Sequence, residues 1–380
     1  MYSLKDFGDM ISDSTRFKAY AEAISRCVRP GNVVLEIGCG PAIFSMLACN
    51  AGAKRVYAIE AEDVIEVARQ IALANKFADR IHFFQGDSRK TVLPERVDVI
   101  VSDIRGALPL FGGAVASLRD AKQRFLAAGG VMIPNRDVLK GAIIQADRIY
   151  SSLVSPWKTC AKEIELSIPL RLILNCFHGV DVRADQLLTE PEELCSLDYM
   201  HNPSVNASAS LNSRINRTGT AHGICLWFDT QLHDDVGFSA GPGSPVKLYQ
   251  QLFLPWLEPV VMEEGQEILV TLHANLVGKD YIWRWETETT PLGGGEKVHF
   301  RQSTFEGANV SSRTLRRHAV NHIPVLTAEG EAERFLLGAM DGRTSLEEIA
   351  KKAAERFPEV YSSHEEAFER VSRLARKFSR

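Results

Sequence analysis

Residues 33–60 read VVLEIGCGPAIFSMLACNAGAKRVYAIE. The run VVLEI at 33–37 is short and apolar and stops at Gly38-Cys39-Gly40, which predicts a buried strand feeding a tight turn. Residues 41–51 follow as a helix, with Pro41 suited to its first turn and Gly52 to its end. RVYAI at 55–59 is a second strand. Working outward, a helix is expected over 62–75, with Val64, Val67, Ala68 and Ile71 on one face. Strands are expected over 81–85 and 97–102, and a helix over about 114–128 ending at Gly129-Gly130. Strand alternating with helix predicts an α/β module built on a parallel, doubly wound sheet.

The strand ends carry the chemistry. Glycines at 38 and 40 let the backbone approach a ligand closely. Glu60, at the end of the second strand, can accept both hydroxyls of a ribose. A dinucleotide site shares this layout, but its fingerprint wants a third glycine where Ile43 stands. Glu36, just before the turn, would repel a pyrophosphate and suits a ligand with a cationic amine and a sulfonium. S-adenosylmethionine meets both conditions. At the third strand end, Gln85-Gly86-Asp87-Ser88 is placed to hydrogen-bond an adenine amine.

Beyond about residue 150 the texture changes to β-type segments at 165–170, 172–177, 222–230, 249–254, 267–274 and 281–287. Gly, Pro and Asn clusters separate them, which predicts an antiparallel barrel or sandwich. Gly293-Gly294-Gly295 reads as a hairpin turn. From 331 the pattern is helical again, at 331–340 and 345–356, with Ser362 and Glu365 resembling a capping box for a last helix to about 378. Three modules result: 1–146, 147–318 and 319–380.

Composition narrows the function classes. The 380 residues are 45% apolar and 24% charged, with a net charge of −4. That is ordinary globular composition, and a dominant nucleic-acid footprint would be basic, so a nucleic-acid partner is not expected. No run of about 18 apolar residues occurs, and the opening MYSLKDFGDM lacks an apolar leader core, so neither a membrane span nor a signal peptide is expected. Seven cysteines, Cys160 among them, with no CxxC pair fit reduced thiols of a cytoplasmic protein, with no metal site implied.

Residues 34–60 resemble the glycine motif and following acidic motif of the protein arginine methyltransferase family. Met10, Asp13 and Arg16 match that family's M-x-x-D-x-x-R helix. HGICLWFDTQLHDDVGFSAGP at 222–242 and VKLYQQLFLPWLEPVVMEEGQEI at 246–268 resemble its barrel strands. The resemblance covers roughly 7–290. It implies a Rossmann-like methyltransferase domain over 1–146, an antiparallel β-barrel substrate domain over 147–318, and S-adenosyl-L-methionine as cofactor with S-adenosyl-L-homocysteine as product. The cofactor set is then Met10, Arg16, Glu36, Gly38, Gly40, Glu60, Ala61, Asp87 and Ser88, with Arg16 pairing the cofactor carboxylate bidentately. It also implies a protein or peptide substrate and a homodimer formed through an arm on the barrel, which the sequence does not locate. The segment 334–358 loosely resembles the small winged-helix-like peptide-binding domain of pyrroloquinoline quinone biosynthesis, which adds its peptide as an edge strand. Over 331–380 ten acidic and ten basic residues balance, so this helical module carries no DNA-binding charge excess.

The family clamps an arginine acceptor with two glutamates on the loop after the fourth strand. Here that loop reads SDIRGALPLFG at 102–112. Asp103 stands at the first glutamate position, Gly112 at the second, and Arg105 adds a positive charge where a guanidinium would enter. The family's T-H-W segment becomes Lys247-Leu248-Tyr249. Asp103 is the candidate catalytic residue, orienting an acceptor N–H or O–H or taking its proton. Tyr249, His222 and His233 are candidate pocket residues. Two functions remain open at this point. One is a methyltransferase acting on a protein or peptide acceptor that need not be arginine. The other is a cofactor-binding interaction protein with weak or no turnover.

Overall fold

The computed structural model describes residues 2–159, 163–289, 297–309 and 311–379. The chain forms two compact units, Met1–Ala308 and Asn309–Arg380. The expected Gly293–Gly295 turn and Cys160 lie outside the described residues.

Five parallel strands open the first unit: β1 (Val33–Ile37), β2 (Arg55–Glu60), β3 (Ile81–Gln85), β4 (Val97–Ser102) and β5 (Leu126–Ile133), in the order β3-β2-β1-β4-β5. β1 is central and all five of its residues are buried, which is why VVLEI is nearly continuous in apolar character. Helices α1 (Leu4–Ser12), α2 (Ser14–Cys27), α3 (Ile43–Asn50), α4 (Ile65–Ala74) and α5 (Ala114–Phe125) accompany the sheet. The strand order reverses between β1 and β4. Their carboxyl ends, Ile37-Gly38 and Ser102-Asp103, therefore flank the crevice where such sheets take ligands.

The chain continues through β6 (Arg136–Ile144), helices α6 (Asp147–Thr159) and α7 (Ser167–Leu174), and β7 (His178–Val180), β8 (Glu192–Asp198) and β9 (Ala207–Arg214). Then come β10 (Gly219–His233), β11 (Val236–Ser239), β12 (Gln251–Met262), β13 (Glu267–Val277), β14 (Asp280–Thr289) and β15 (Val298–Ser303). One antiparallel sheet runs β7-β12-β10-β6-β8 with β11 on β10; the other runs β15-β14-β13-β9. Leu35 and Ile100 of the parallel sheet share one core with Phe228, Trp256 and Trp285 of the antiparallel sheets. The fold is thus a Rossmann-like domain followed by an antiparallel barrel.

Several local expectations change. Residues 167–174 form α7 rather than strands at 165–170 and 172–177. Leu170, Ile173 and Leu174 share a helical face that packs with Tyr150 and Val154 of α6. The helix expected to reach 128 stops at Phe125, and Leu126 already belongs to β5. Gly130 is there because a Cβ would lie 2.8 Å from the Asp98 carbonyl on β4, not to stop a helix. α3 begins at Ile43, not Pro41, after Ala42 turns with φ 60°. In α4 the buried face is Ile65, Ala68 and Ala72. β5 ends the parallel sheet at Ile133, and β6, from Arg136, pairs with β10.

The second unit holds α8 (Ser312–Arg317), α9 (Ala328–Gly338), α10 (Leu346–Arg356) and α11 (His364–Phe378). Ala332, Leu336, Ile349, Ala353 and Val371 form its core. The last cap sits one residue later than expected: Ser363 Oγ accepts from Glu366 N at 3.3 Å, while the Glu366 carboxylate accepts from Ser362 N at 2.8 Å. No strand occurs among the described residues of this unit, so the wing of a winged helix is not part of it.

Candidate active site

The turn after β1 needs its glycines. Gly38 and Gly40 have φ of 69° and 50°, the left-handed region that side chains rarely adopt. A Cβ on Gly38 would collide with Ile104 from the loop after β4, and one on Gly40 would lie 2.6 Å from the Phe7 ring of α1. Glu36 is 3% exposed and fastens β1 to α3. Its Oε2 accepts from Ser45 N at 2.7 Å and from the Ser45 hydroxyl. Burial pushes the Glu36 carboxyl up to about 8, against the pull of the Ser45 bonds.

Glu60 is half-buried and holds the turn from the other side. Oε2 accepts from Gly40 N at 2.9 Å and Oε1 from Glu62 N at 3.0 Å. Each oxygen keeps a further lone pair. Gly86 N donates to the Glu60 carbonyl at 2.8 Å, which draws in the third strand end. Beyond it the side chains turn to local partners. Asp87 accepts from Arg89 N at 3.0 Å and Nε at 3.2 Å, and these bonds hold it below the usual carboxylate range. Ser88 is buried, and its carbonyl accepts from Arg124 at 2.6 Å. Ala61 is exposed beside Glu60.

The expected M-x-x-D-x-x-R helix is two helices. Met10 lies on α1, and Asp13 caps α2 by accepting from Arg16 N at 3.3 Å. The second Asp13 oxygen accepts from Lys247 N at 2.8 Å and Leu248 N at 3.0 Å, tying the cap to the barrel. Arg16, in the first turn of α2, is 6% exposed. It donates to the Met10 carbonyl at 2.9 Å and through Nε to Asp103 at 2.7 Å, with a second, closer ion pair from its terminal nitrogen. The Tyr20 and Phe44 rings lie against its guanidinium at 5.4 and 5.5 Å.

Asp103 joins this cluster to a second arginine. Arg105 donates to Asp103 Oδ1 from Nε at 3.3 Å and from a terminal nitrogen at 3.0 Å. It also donates to Asp137 at 2.7 Å, Thr230 Oγ1 at 2.7 Å and Tyr20 Oη at 2.6 Å. Tyr249 donates to both Asp103 oxygens at 2.5 and 2.6 Å, and Tyr199 donates to Asp137 at 2.7 Å. Burial alone would raise the Asp103 carboxyl. Arg16 and Arg105 outweigh it and hold it at about 2. A carboxylate so held is a weak proton acceptor at neutral pH and a strong hydrogen-bond acceptor, so its arrangement suits orienting rather than deprotonating.

Comparison with known proteins matches both parts of the first unit. Residues 18–135 match the family model of the ribosomal protein L11 methyltransferase (PrmA), and residues 140–288 match the arginine methyltransferase oligomerization subdomain. The probable protein arginine N-methyltransferase 6 of Arabidopsis thaliana is 32% identical over 63% of this chain and 55% of its own length. The protein arginine N-methyltransferase 1 of Dictyostelium discoideum is 26% identical over 70% of this chain and 80% of its own. In these matches the chain is similar to the protein arginine methyltransferases. Among solved structures, the Trypanosoma brucei enzyme–prozyme complex with AdoHcy superposes with a TM-score of 0.71 at 23% identity, covering 77% of this chain and 95% of that one. Arabidopsis thaliana protein arginine methyltransferase 10 gives 0.71 at 21%, covering 79% and 97%. These two likenesses speak to the fold.

On the acceptor side the loop aligned from sequence with that family's two glutamates runs from Asp103 to Gly112. Gly112, at the second glutamate position, has φ 63°, a backbone that a glutamate would strain. Tyr249 of the altered T-H-W segment sits on Asp103, as the sequence allowed. His222 lies elsewhere, accepting from Ala146 N at 3.1 Å beside Tyr150, and His233 pairs with Asp234. The sequence missed Tyr20, Asp137, Tyr199 and Thr230. Tyr20 was findable, being one helical turn beyond Arg16 on the same face.

Proposed function

We propose that the chain binds S-adenosyl-L-methionine and transfers its methyl group to a protein or peptide acceptor other than an arginine side chain. The observation that carries this reading is the convergence of Glu36, the Gly38–Gly40 turn, Glu60 and Arg16 on the switch-point crevice beside Asp103. The residues suit that cofactor: two left-handed glycines keep the turn tight, Glu60 retains acceptor lone pairs for ribose hydroxyls, Glu36 suits the amine, and the terminal N–H donors of Arg16 beyond those on Asp103 and Met10 suit the carboxylate. Met10, Ala61, Asp87 and Ser88 complete the set in this reading. When bound, the cofactor supplies an electrophilic methyl on a sulfonium and leaves as S-adenosyl-L-homocysteine. Asp103 orients the acceptor, and positioning and electrostatics supply the rate gain. The barrel, 147–318 in the division proposed from sequence, would carry the acceptor, and 319–380 would serve as an accessory module. A homodimer and a cytoplasmic setting belong to the same proposal. Among the described residues no helix is long and apolar enough to cross a membrane.

A second reading is favoured by one specific observation. Arg16, Arg105 and Tyr249 already engage both Asp103 oxygens, as they would in a cofactor-binding interaction protein without turnover. Labelled methyl transfer to extract of a strain lacking this protein separates the two. The methyltransferase reading expects a labelled polypeptide whose hydrolysate contains no methylarginine. Methylarginine would overturn the acceptor assignment, and unlabelled extract with bound cofactor would select the second reading.

A further inference from the structure

The surroundings of Arg105 are those of a ligand in a finished binding site. A guanidinium carries five N–H donors in a planar fork. Each of the five has an acceptor here: Nε on Asp103, one terminal nitrogen on Asp137 and Thr230, the other on Tyr20 and Asp103. Four aromatic rings surround the carbon, with centroids at 5.1 Å for Phe228, 5.8 Å for Phe238 and Tyr249, and 5.9 Å for Tyr20. The side chain is 1% exposed, and Asp137 is fully buried. The acceptors come from four separate stretches: α2, the loop after β4, β6 and β10.

The charges count the same way. Two arginines, Arg16 and Arg105, face two carboxylates, Asp103 and Asp137. Without Arg105 the cluster would hold one net negative charge in a site closed to water, with Tyr199 still fixing Asp137 and Tyr249 still fixing Asp103.

We infer that the Arg105 side chain is the resident occupant of a guanidinium-binding site formed by Asp103, Asp137, Thr230, Tyr20 and the surrounding aromatic rings. The protein therefore supplies from within the guanidinium that this buried site holds. The consequence for acceptor choice rests on the methyltransferase reading: Arg105, with Arg16 and Tyr249, already engages both Asp103 oxygens, so an incoming guanidinium meets a carboxylate that the chain itself has answered. The site itself does not rest on that reading.

Arg105→Ala removes a group the size of N-ethylguanidinium, which is the probe. Binding to the full-length variant and to wild type is measured by calorimetry and thermal shift, with propylammonium as a cation lacking the fork. The expected result is saturable ethylguanidinium binding to Arg105→Ala, about tenfold or more tighter than propylammonium, with a raised melting temperature. Wild type and the double variant Arg105→Ala, Asp137→Asn should bind neither. If Arg105→Ala does not fold alone, its refolding yield with each cation is the readout. A yield raised by ethylguanidinium and not by propylammonium supports the site. Equal effects of the two cations, no effect of either, or undiminished binding by the double variant would overturn it. Cofactor binding is read separately with S-adenosylhomocysteine, so failure here leaves the functional reading distinguishable.

Discussion

Glu60 and Asp103 are two carboxylates at the ends of neighbouring regions of one sheet, and they are held in opposite ways. Glu60 is half-buried, holds one backbone N–H on each oxygen and keeps lone pairs to spare. Asp103, its side chain 7% exposed, is engaged by Arg16, Arg105 and Tyr249. The first arrangement leaves acceptor capacity open, whereas the second is already answered by the chain itself. The difference teaches that two carboxylates at strand ends of one sheet need not be equally open to a ligand. Different elements build their surroundings: the turn after β1 and the end of β3 at Glu60, and α2, β6 and β10 at Asp103 and its partners.

The largest expected effect tests how self-sufficient the Asp103 side is. Arg105→Ala leaves Asp103 and Asp137 sharing one arginine in a buried site, and should lower unfolding free energy by about 3–5 kcal/mol in urea titrations. The exposed Arg89, which pairs with Asp87, should give less than about 1 kcal/mol for the same change. Similar losses at both positions would erase the contrast.

Acid should expose the same difference. The Asp103 carboxyl is held at about 2, below its ordinary unfolded value of about 3.9. Its stabilisation is therefore complete above about pH 4 and disappears as pH falls towards 2, amounting to about 2–3 kcal/mol. Unfolding curves across that window should slope for wild type and flatten for Asp103→Asn. That variant also leaves two buried arginines with one carboxylate, so a loss of turnover in it must be read beside its stability.

On the open side, Glu60→Ala should change binding rather than stability. Losing charged hydrogen bonds to a ribose costs about 1.5–3 kcal/mol, which is about 10- to 100-fold in S-adenosylhomocysteine affinity. Unchanged affinity would mean that Glu60 only braces the Gly40 turn.

Much of that open side is legible in the sequence, because its devices are local. A five-residue apolar run, two glycines and a glutamate at the next strand end lie within 33–60, and each has a direct structural meaning. Arg16 and Asp103 can be named as candidates, but their mutual ion pair cannot, since it depends on how α2 meets the end of β4. Asp137 and Thr230 stand in antiparallel strands β6 and β10 beside other polar residues, Arg136 in the first and Asp229 and Gln231 in the second, so the pattern gives no sign of which one is buried with a partner. The sequence does not resolve α7 for a related reason: SIPLRLIL fits strand and helix alike until α6 supplies the surface that selects the helix. The start of β5 is hidden because Leu126, Ala127 and Ala128 continue the apolar pattern of α5.

The smallest expected effect is a fraction of a proton. Burial holds the Glu36 carboxyl up to about 8, so it is largely protonated at pH 7. An ammonium group placed against it would favour the ionised form and release that proton. Binding heats measured in buffers of different ionisation enthalpy should therefore differ for wild type and coincide for Glu36→Gln.

The central claim is that the crevice beside β1 and β2 takes S-adenosylmethionine and its product. Titrating S-adenosylhomocysteine into the wild-type protein in a calorimeter tests this most directly. Saturable binding at one site per chain is expected. An absence of binding heat, confirmed by an unchanged melting temperature at saturating ligand, would contradict it.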